Sequence, residues 1–241
     1  MTTLVIIQAR MGSTRLPGKV LMPLGDSTVL DYVVTRCRQI KNVRDVVVAT
    51  SYLAQDDPIE QWCAEHGVSC SRGPEDDVLA RYVAAARPYC PDYVMRVTGD
   101  CPFVDYELGD LFTEAMAKQP SDMIVWNEEL PRGLAVELVS YEALLRIDRL
   151  GQEPRHREHV TYYAREYPDS FATTEVAIPS ALRYPSLRIT LDTEEDYALC
   201  LVIADTFRGD RLASSTAIVE FLNGNPEVAA LNSHIEQKPV V

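Results

Sequence analysis

The sequence predicts a three-layer α/β fold built on a mostly parallel sheet, and three observations carry that prediction. Short continuous apolar runs alternate with segments whose apolar residues recur at helical spacing, as buried parallel strands joined by right-handed crossovers require. With 46% of 241 residues hydrophobic, the chain can cover both faces of such a sheet. No internal repeat, low-complexity stretch or linker interrupts the pattern, so residues 1–241 read as one domain.

Taken in order, Leu4 to Ile7 is the first buried strand, and a loop punctuated by Gly and Pro follows from Ala9 to Lys19. Val29, Leu30, Val33, Val34, Cys37 and Ile40 share one helix face, entered through Thr28 and Asp31 in a capping-box arrangement. Val46 to Ala49 is the next buried strand. Ile59, Trp62 and Cys63 mark a short helix; Val78, Leu79, Tyr82, Val83 and Ala86 mark another. Tyr93 to Val97 is a further strand, ending at Thr98-Gly99-Asp100.

From about residue 121 to 190 the pattern changes. Met123 to Trp126 and Leu134 to Val139 are strand-like, helices are expected at 141–149 and 156–166, and strand-like pieces return near 171–178 and 187–191. This block reads as a sheet extension or a dimerisation arm. Helix resumes over 193–206, and 214–231 reads helical with a break at Asn223 to Pro226. In open parallel sheets, ligands sit beyond the carboxyl ends of strands where the strand order reverses. The loop after Ile7 and Asp100 after Val97 both fall there and are expected to face one site.

The formal net charge of −13 disfavours nucleic acid as a partner. The first fifty residues nevertheless hold seven Lys/Arg against three Asp, and the first nineteen contain Arg10, Arg15 and Lys19 with no acid. A locally basic loop in an acidic protein suits a small anion such as a phosphate group; the plain alternative is a chance cluster on a solvated face. The six cysteines show no C-x-x-C spacing, which argues against a structural zinc. No apolar run approaches a membrane span, and the expectation is a cytoplasmic protein with reduced thiols.

The loop Gln8-Ala9-Arg10-Met11-Gly12-Ser13-Thr14-Arg15-Leu16-Pro17-Gly18-Lys19 is neither a dinucleotide fingerprint nor a Walker A loop. Five residues separate Gly12 from Gly18, and Val20 stands where Ser or Thr would meet Mg²⁺. It still suits phosphate, because glycines let backbone N–H groups approach oxyanions while Arg10, Arg15 and Lys19 supply charge. Lysine occurs four times in the chain, so a Gly-Lys step directly after a buried strand is poorly explained as surface decoration. Asp100 and Asp192, each after a buried run, are the candidate Mg²⁺ carboxylates. Asp100 has a turn residue as its bland alternative, and Asp192 an N-cap of the helix that follows. Cys101 reads as a packed small side chain.

The stretch IIQARMGSTRLPGKVL resembles the signature of the sugar-acid cytidylyltransferases, the family of CMP-Kdo synthetases and acylneuraminate cytidylyltransferases. More closely, the chain resembles their spore-coat polysaccharide biosynthesis protein F-like branch. Arg72 to Tyr82 is similar to that branch's second motif and Arg96 to Pro102 to its third, where CMP-Kdo synthetases usually carry Glu at the Cys101 position. Arg157 to Thr161 and Arg188 to Asp196 match later blocks, so the resemblance runs from residue 4 to about 205.

The resemblance implies a sheet of the nucleotide-diphospho-sugar transferase (Rossmann-like) type, CTP, Mg²⁺, pyrophosphate release and a homodimer. On the matching positions, Arg10 and Lys19 would hold the triphosphate and carry the catalytic charge, within a nucleotide site of Ala9, Arg10, Gly12, Ser13, Arg15, Lys19, Arg72, Gly73, Asp77 and Asp100. Asp100 and Asp192 would hold Mg²⁺. The 72–77 loop would read the base, with Asp77 accepting from an amino group.

A carboxylated sugar-acid acceptor needs a cationic partner. Arg132, Glu137, Arg157 and His159 are the acceptor-side candidates, and a solvated helix face is the alternative for Arg157. One departure stands out, Ala135, where many relatives carry an acidic residue. The reading is thus CMP transfer from CTP to a sugar acid for polysaccharide or glycan synthesis. A glycosyltransferase of similar fold is the first competitor, disfavoured because no Asp-x-Asp occurs. A non-catalytic nucleotide-binding protein is the second, disfavoured by retention of Arg10, Lys19, Asp100 and Asp192 together.

Overall fold

The computed structural model describes residues 1–208 and 210–236. In chain order the principal elements are β1 (Thr3–Gln8), β2 (Pro23–Leu24), β3 (Ser27–Thr28), α1 (Val29–Cys37), β4 (Val43–Ser51), α2 (Asp57–Glu65), β5 (Ser69–Gly73), α3 (Val78–Ala86) and β6 (Tyr93–Thr98). There follow α4 (Tyr106–Lys118), β7 (Met123–Val125), β8 (Glu137–Ser140), α5 (Tyr141–Leu150), α6 (Pro154–Glu158) and α7 (Tyr162–Glu166). The chain continues through β9 (Thr173–Glu175), α8 (Glu194–Thr206), α9 (Ser215–Gly224) and α10 (Pro226–Ala229).

Seven strands form one sheet in the order β5-β4-β1-β6-β8-β7-β9. β5, β4, β1 and β6 are mutually parallel. Only β8 runs against its neighbours, since β7 and β9 pair parallel to each other and β7 pairs antiparallel to β8. The mostly parallel, three-layer architecture expected from the sequence is what the chain adopts. The order reverses at β1, with β4 on one side and β6 on the other, and Gln8 lies in register with Thr98. The loops leaving β1 and β6 therefore emerge side by side.

Strand alternation divides the core into two layers. Val5, Ile7, Met95 and Val97 face one way, onto residues of α1, α2, α4, α8 and α9. Leu4, Ile6 and Val94 face the other way, onto α3, α5 and α7. This is why these strands read as unbroken apolar runs: both faces are covered. The α1 face is buried as expected and Thr28 caps it, accepting from the Asp31 amide at 3.3 Å. The Asp31 carboxylate turns to Ser27 and Arg211 instead of back to Thr28, so the capping box is half formed.

Three expectations need correction. The run from Leu134 becomes strand only at Glu137, because Gly133 (φ 102°) turns the chain and Leu134 to Val136 follow the turn outside the sheet. The 187–191 run makes a single bridge, Arg188 to Arg132, and joins no strand. The 156–166 helix is two short ones, α6 and α7, separated by His159 to Thr161. Nothing in the sequence analysis marks the short β2–β3 hairpin, β5, a Ser-Cys-Ser-Arg-Gly edge with no apolar run, or α4. In α4, Leu108, Phe112 and Met116 are buried at four-residue spacing after an Asp105 cap.

Candidate active site

Beyond β1 the chain closes a small loop. The Gly18 amide donates to Met11 O at 2.9 Å, pinching the neck, and Gly18 sits at φ 72°, a left-handed conformation that favours glycine. The Met11 amide donates to Asp56 Oδ1 at 2.7 Å, and the other oxygen of this fully buried carboxylate receives Ser51. The Ala9 amide extends the sheet by donating to Ala49 O, and Ser13 Oγ accepts from the Leu16 amide. Gly12 presses between Gln55 and Glu75, where an added Cβ would meet Gln55 Nε2 at 2.8 Å. Among the described residues, the amides of Arg10, Gly12, Thr14 and Arg15 donate to no protein acceptor. Free amides on a tight loop are suited to oxyanions. Arg10 overhangs it, half exposed and 4.0 Å from Glu75.

The pinch brings Lys19 inward. Its Nζ donates to Asp100 Oδ2, Asp192 Oδ1 and Leu191 O, each at 2.7 Å. Asp100 arrives at the end of β6 through Gly99, whose amide donates to Gln8 O at 2.8 Å; a Cβ there would stand 3.0 Å from that oxygen. Asp192 arrives on a segment tied to the same strand end, since the Leu191 amide donates to Asp100 O at 2.8 Å. The N-cap of α8 is Thr193, in a reciprocal box with Asp196, so Asp192 is not the cap. Burial opposes charge on Lys19, but the two carboxylates hold its pKa above the ordinary lysine value. Burial would likewise raise the Asp192 carboxyl; Lys19, then Arg15 and Arg188, hold it below the usual range. Burial pushes the Cys101 thiol up to about 12, in keeping with a packed, unreactive side chain.

Asp100 and Asp192 share one ammonium and so stand close enough to share one cation. Their hard oxygens match what Mg²⁺ takes, typically one or two carboxylates completed by phosphate and water. Among the described residues no three His, Cys, Asp or Glu side chains cluster as a metal cage. The pair of carboxylates fits a divalent cation.

Not every expected residue joins this cluster. Arg72 is spent on the fold: Nε donates to Ser51 O at 2.7 Å, Nη2 to Leu53 O at 2.9 Å, and Asp57 and Glu60 pair with it. Gly73 lies within β5, where its carbonyl accepts from the Tyr52 amide. Asp77 caps α3 by accepting from the Ala80 amide, and both its oxygens bind Arg157. Asp77 therefore lacks an idle oxygen edge for a base, and Arg157, also held by Asp148 and by the carbonyls of Asp148 and Gly151, is neither a solvated arm nor a free carboxylate clasp.

Glu137 and His159 fall together. Glu137 accepts from Arg96 Nη1 at 3.1 Å, from Thr161 Oγ1 and from Arg165 Nη2 at 2.6 Å, and these cations overcome burial to lower its pKa. Half-buried His159 is pushed down by burial, with Glu158, Arg96, Glu137 and Arg165 as its charged neighbours. Beside them opens a cavity of about 300 Å³ lined by β7, Trp126, Glu137, Thr161 and Arg165. Arg132 is exposed, its backbone paired with Leu187 and Ile189 on the way to Asp192. Gly133 permits that pairing, since a Cβ there would meet the Ile189 carbonyl at 2.7 Å.

Two supports escaped the sequence reading. Asp56 anchors the loop neck; its signal was an Asp beside the Asp-Pro start of α2. Asp196 is fully buried and receives Arg188, the Asp192 and Thr193 amides and Asn232, which fixes the turn carrying Asp192. Its signal was the Thr-x-x-Asp box.

Residues 4–212 match the model of a family described as cytidylyltransferase. The spore coat polysaccharide biosynthesis protein SpsF of Bacillus subtilis is 39% identical over 231 residues, 94% of this chain and 96% of that protein. The solved structure of a cytidylyltransferase from Leptospira borgpetersenii superposes with a TM-score of 0.89 at 31% identity, covering 99% of this chain and all of that one (100%). A CMP:2-keto-3-deoxy-manno-octonic acid synthetase complexed with CTP shares the fold, with a TM-score of 0.66 at 17% identity over 86% of this chain and 100% of that one. With this extent of match behind a strand-end loop, a buried lysine and two converging carboxylates, the chain belongs to the cytidylyltransferase family.

Proposed function

We propose that the protein transfers CMP from CTP to a sugar-acid acceptor, releasing pyrophosphate, in the synthesis of a surface polysaccharide or glycan. The observation that carries this reading is Lys19 held between Asp100 and Asp192 beside a loop with four unpartnered amides. One fold neighbour is complexed with CTP, and the 39% identical relative is a polysaccharide biosynthesis protein.

In the reaction, the acceptor hydroxyl loses its proton to water and its oxygen bonds to the α-phosphorus in line, while the bond from that phosphorus to the pyrophosphate oxygen breaks. The loop amides and Arg10 bind the phosphates, and Lys19 neutralises charge on the departing pyrophosphate. Asp100 and Asp192 would hold Mg²⁺, which when bound would neutralise the triphosphate and lower the acceptor hydroxyl's pKa. The acceptor lies toward the Glu137 cavity. Glu137 and His159 face its hydroxyls, and Arg132, which forms no ion pair among the described residues, meets its carboxylate. Base reading falls to backbone groups near Gly73 and Glu75. The enzyme works as a cytoplasmic homodimer of one-domain subunits.

The test is a pyrophosphate-release screen of CTP, UTP, GTP and ATP against sugar acids and sugar phosphates, with and without chelator. Release is expected with CTP and a sugar acid, abolished by chelator. No release from any triphosphate, or release preferring another base, would reject the reading.

A further inference from the structure

The Lys19 ammonium has three hydrogens, and three acceptors take them at 2.7 Å: both carboxylates and the Leu191 carbonyl. The place between Asp100 and Asp192 is thus filled by a cation belonging to the chain. Asp192 also faces Arg15 at 3.2 Å and Arg188 at 2.9 Å, so two more positive groups guard the same carboxylate. The arrangement is part-buried: Lys19 is 9% exposed and Asp192 16%. Charge in such a setting is poorly screened. A divalent ion arriving alone would have to expel the ammonium from both carboxylates while standing near two guanidinium groups. It would also have to surrender water, which Mg²⁺ does reluctantly.

A triphosphate alters that balance. The amides of Arg10, Gly12, Thr14 and Arg15 offer it a cradle on the loop that carries Lys19 at its end. Phosphate oxygens there compete with the carboxylates for the ammonium and for Arg15, and they bring ligands of their own for the metal.

Building on the reading of this site as one for nucleotidyl transfer, we propose that Lys19 is the resident counter-ion of the metal site. It keeps a free divalent cation off Asp100 and Asp192 until a nucleoside triphosphate draws the ammonium away. Metal and nucleotide then enter together. Linkage makes this reciprocal, each raising the other's affinity by the same factor. Lys19 is accordingly both a phosphate-binding residue and the gate on metal entry.

Titration of Mn²⁺ without nucleotide, followed by the electron paramagnetic resonance signal of the free ion, tests the gate. Lys19→Met is expected to bind one Mn²⁺ about tenfold or more tighter than the unaltered protein, and adding Asp100→Asn should abolish the gain. Equal affinity for the unaltered protein and Lys19→Met would overturn the proposal. Because Lys19→Met leaves two carboxylates unneutralised, a second measurement uses the unaltered chain. Its four lysines give a simple spectrum with ¹⁵Nζ-lysine labelling, assigned by Lys19→Arg. The Lys19 ammonium resonance should ignore millimolar Mg²⁺ alone and move when CTP is added with chelator present. A resonance moved by Mg²⁺ alone sinks the gate. Neither metal-only arm involves catalysis, so a protein that releases no pyrophosphate from CTP would fail the functional reading while leaving the gate to stand or fall by itself.

Discussion

Asp77 and Arg157 form a two-pronged ion pair, Nε to Oδ1 at 2.9 Å and Nη2 to Oδ2 at 2.8 Å, across eighty residues of chain. It locks the first turn of α3 to α6, and Asp148 of α5 completes the clasp. Arg157→Ala should therefore lower stability by about 2–3 kcal/mol, since it strands two carboxylates in a part-buried place. Thermal melting measures this, and the acceptor KM of the surviving fold should barely change. An unchanged melting temperature with a raised acceptor KM would return Arg157 to the substrate.

Lys19→Ala should cut turnover by about two to three orders of magnitude, the usual effect of removing one electrostatic donor to a charged transition state. Pyrophosphate release at saturating CTP and metal is the measurement, with circular dichroism to confirm the fold. Near-normal release would remove Lys19 from the chemistry.

Asp56→Ala should loosen the loop neck without touching a phosphate. The Met11 amide and Ser51 lose their acceptor, at about 1–3 kcal/mol of stability. The CTP KM should rise about tenfold as the cradle loses its alignment. Asp56→Asn, which keeps one acceptor oxygen, should recover part of both; no difference between the two variants would argue against positioning by Asp56.

Glu137 ties stability to acidity. Its folded-state pKa lies below the ordinary 4.5, so its contribution is full above that value and is lost as pH falls through the lower folded one. Glu137→Gln should flatten the acid side of the stability curve, as read from urea midpoints over the acidic range. An acid limb identical to that of the unaltered protein would show that another carboxylate governs it.

Gly133→Ala should be costly for two reasons. A φ of 102° strains any Cβ-bearing residue, and the new atom would meet the Ile189 backbone at 2.7 Å. We expect a loss of about 2 kcal/mol or more, with CTP turnover reduced because the 188–192 segment must shift. Unchanged melting and turnover would show that the loop yields freely.

Much of this was legible because the physics is local. Leu4 to Ile7, Val46 to Ala49 and Tyr93 to Val97 are covered on both faces, so apolarity alone marks them as strands. Asp100 was legible as a carboxylate at the end of β6 and Lys19 as the cation closing the loop after β1, whereas Asp192, expected at a strand end, follows a segment that joins no strand. What escaped depends on distant partners. Ser69 to Gly73 has one small apolar side chain, Cys70, and no apolar run; β5 exists because β4 offers it an edge, with Val47 opposite Ser69. The fate of Arg157 was hidden for the same reason, since Asp77, which takes two of its hydrogen bonds, lies eighty residues away and the helical face on which it sits is the same whether it clasps substrate or scaffold. Asp56 was overlooked because burial, not its identity, gives it an anchoring role.

The three acceptors of Lys19 have a consequence for the newborn chain. Asp100 lies 81 residues downstream and Asp192 another 92 beyond it, so the cluster joins the first loop to a segment 173 residues later. A ribosome delivers residues in order, and β1, β4, β5 and β6 can all pair before Asp192 has been made. Until then the ammonium has one carboxylate at most, and no emerging fragment ending before residue 192 carries both. Completion of the carboxylate pair thus reports that most of the polypeptide has been synthesised and that its late segment has docked beside its first loop.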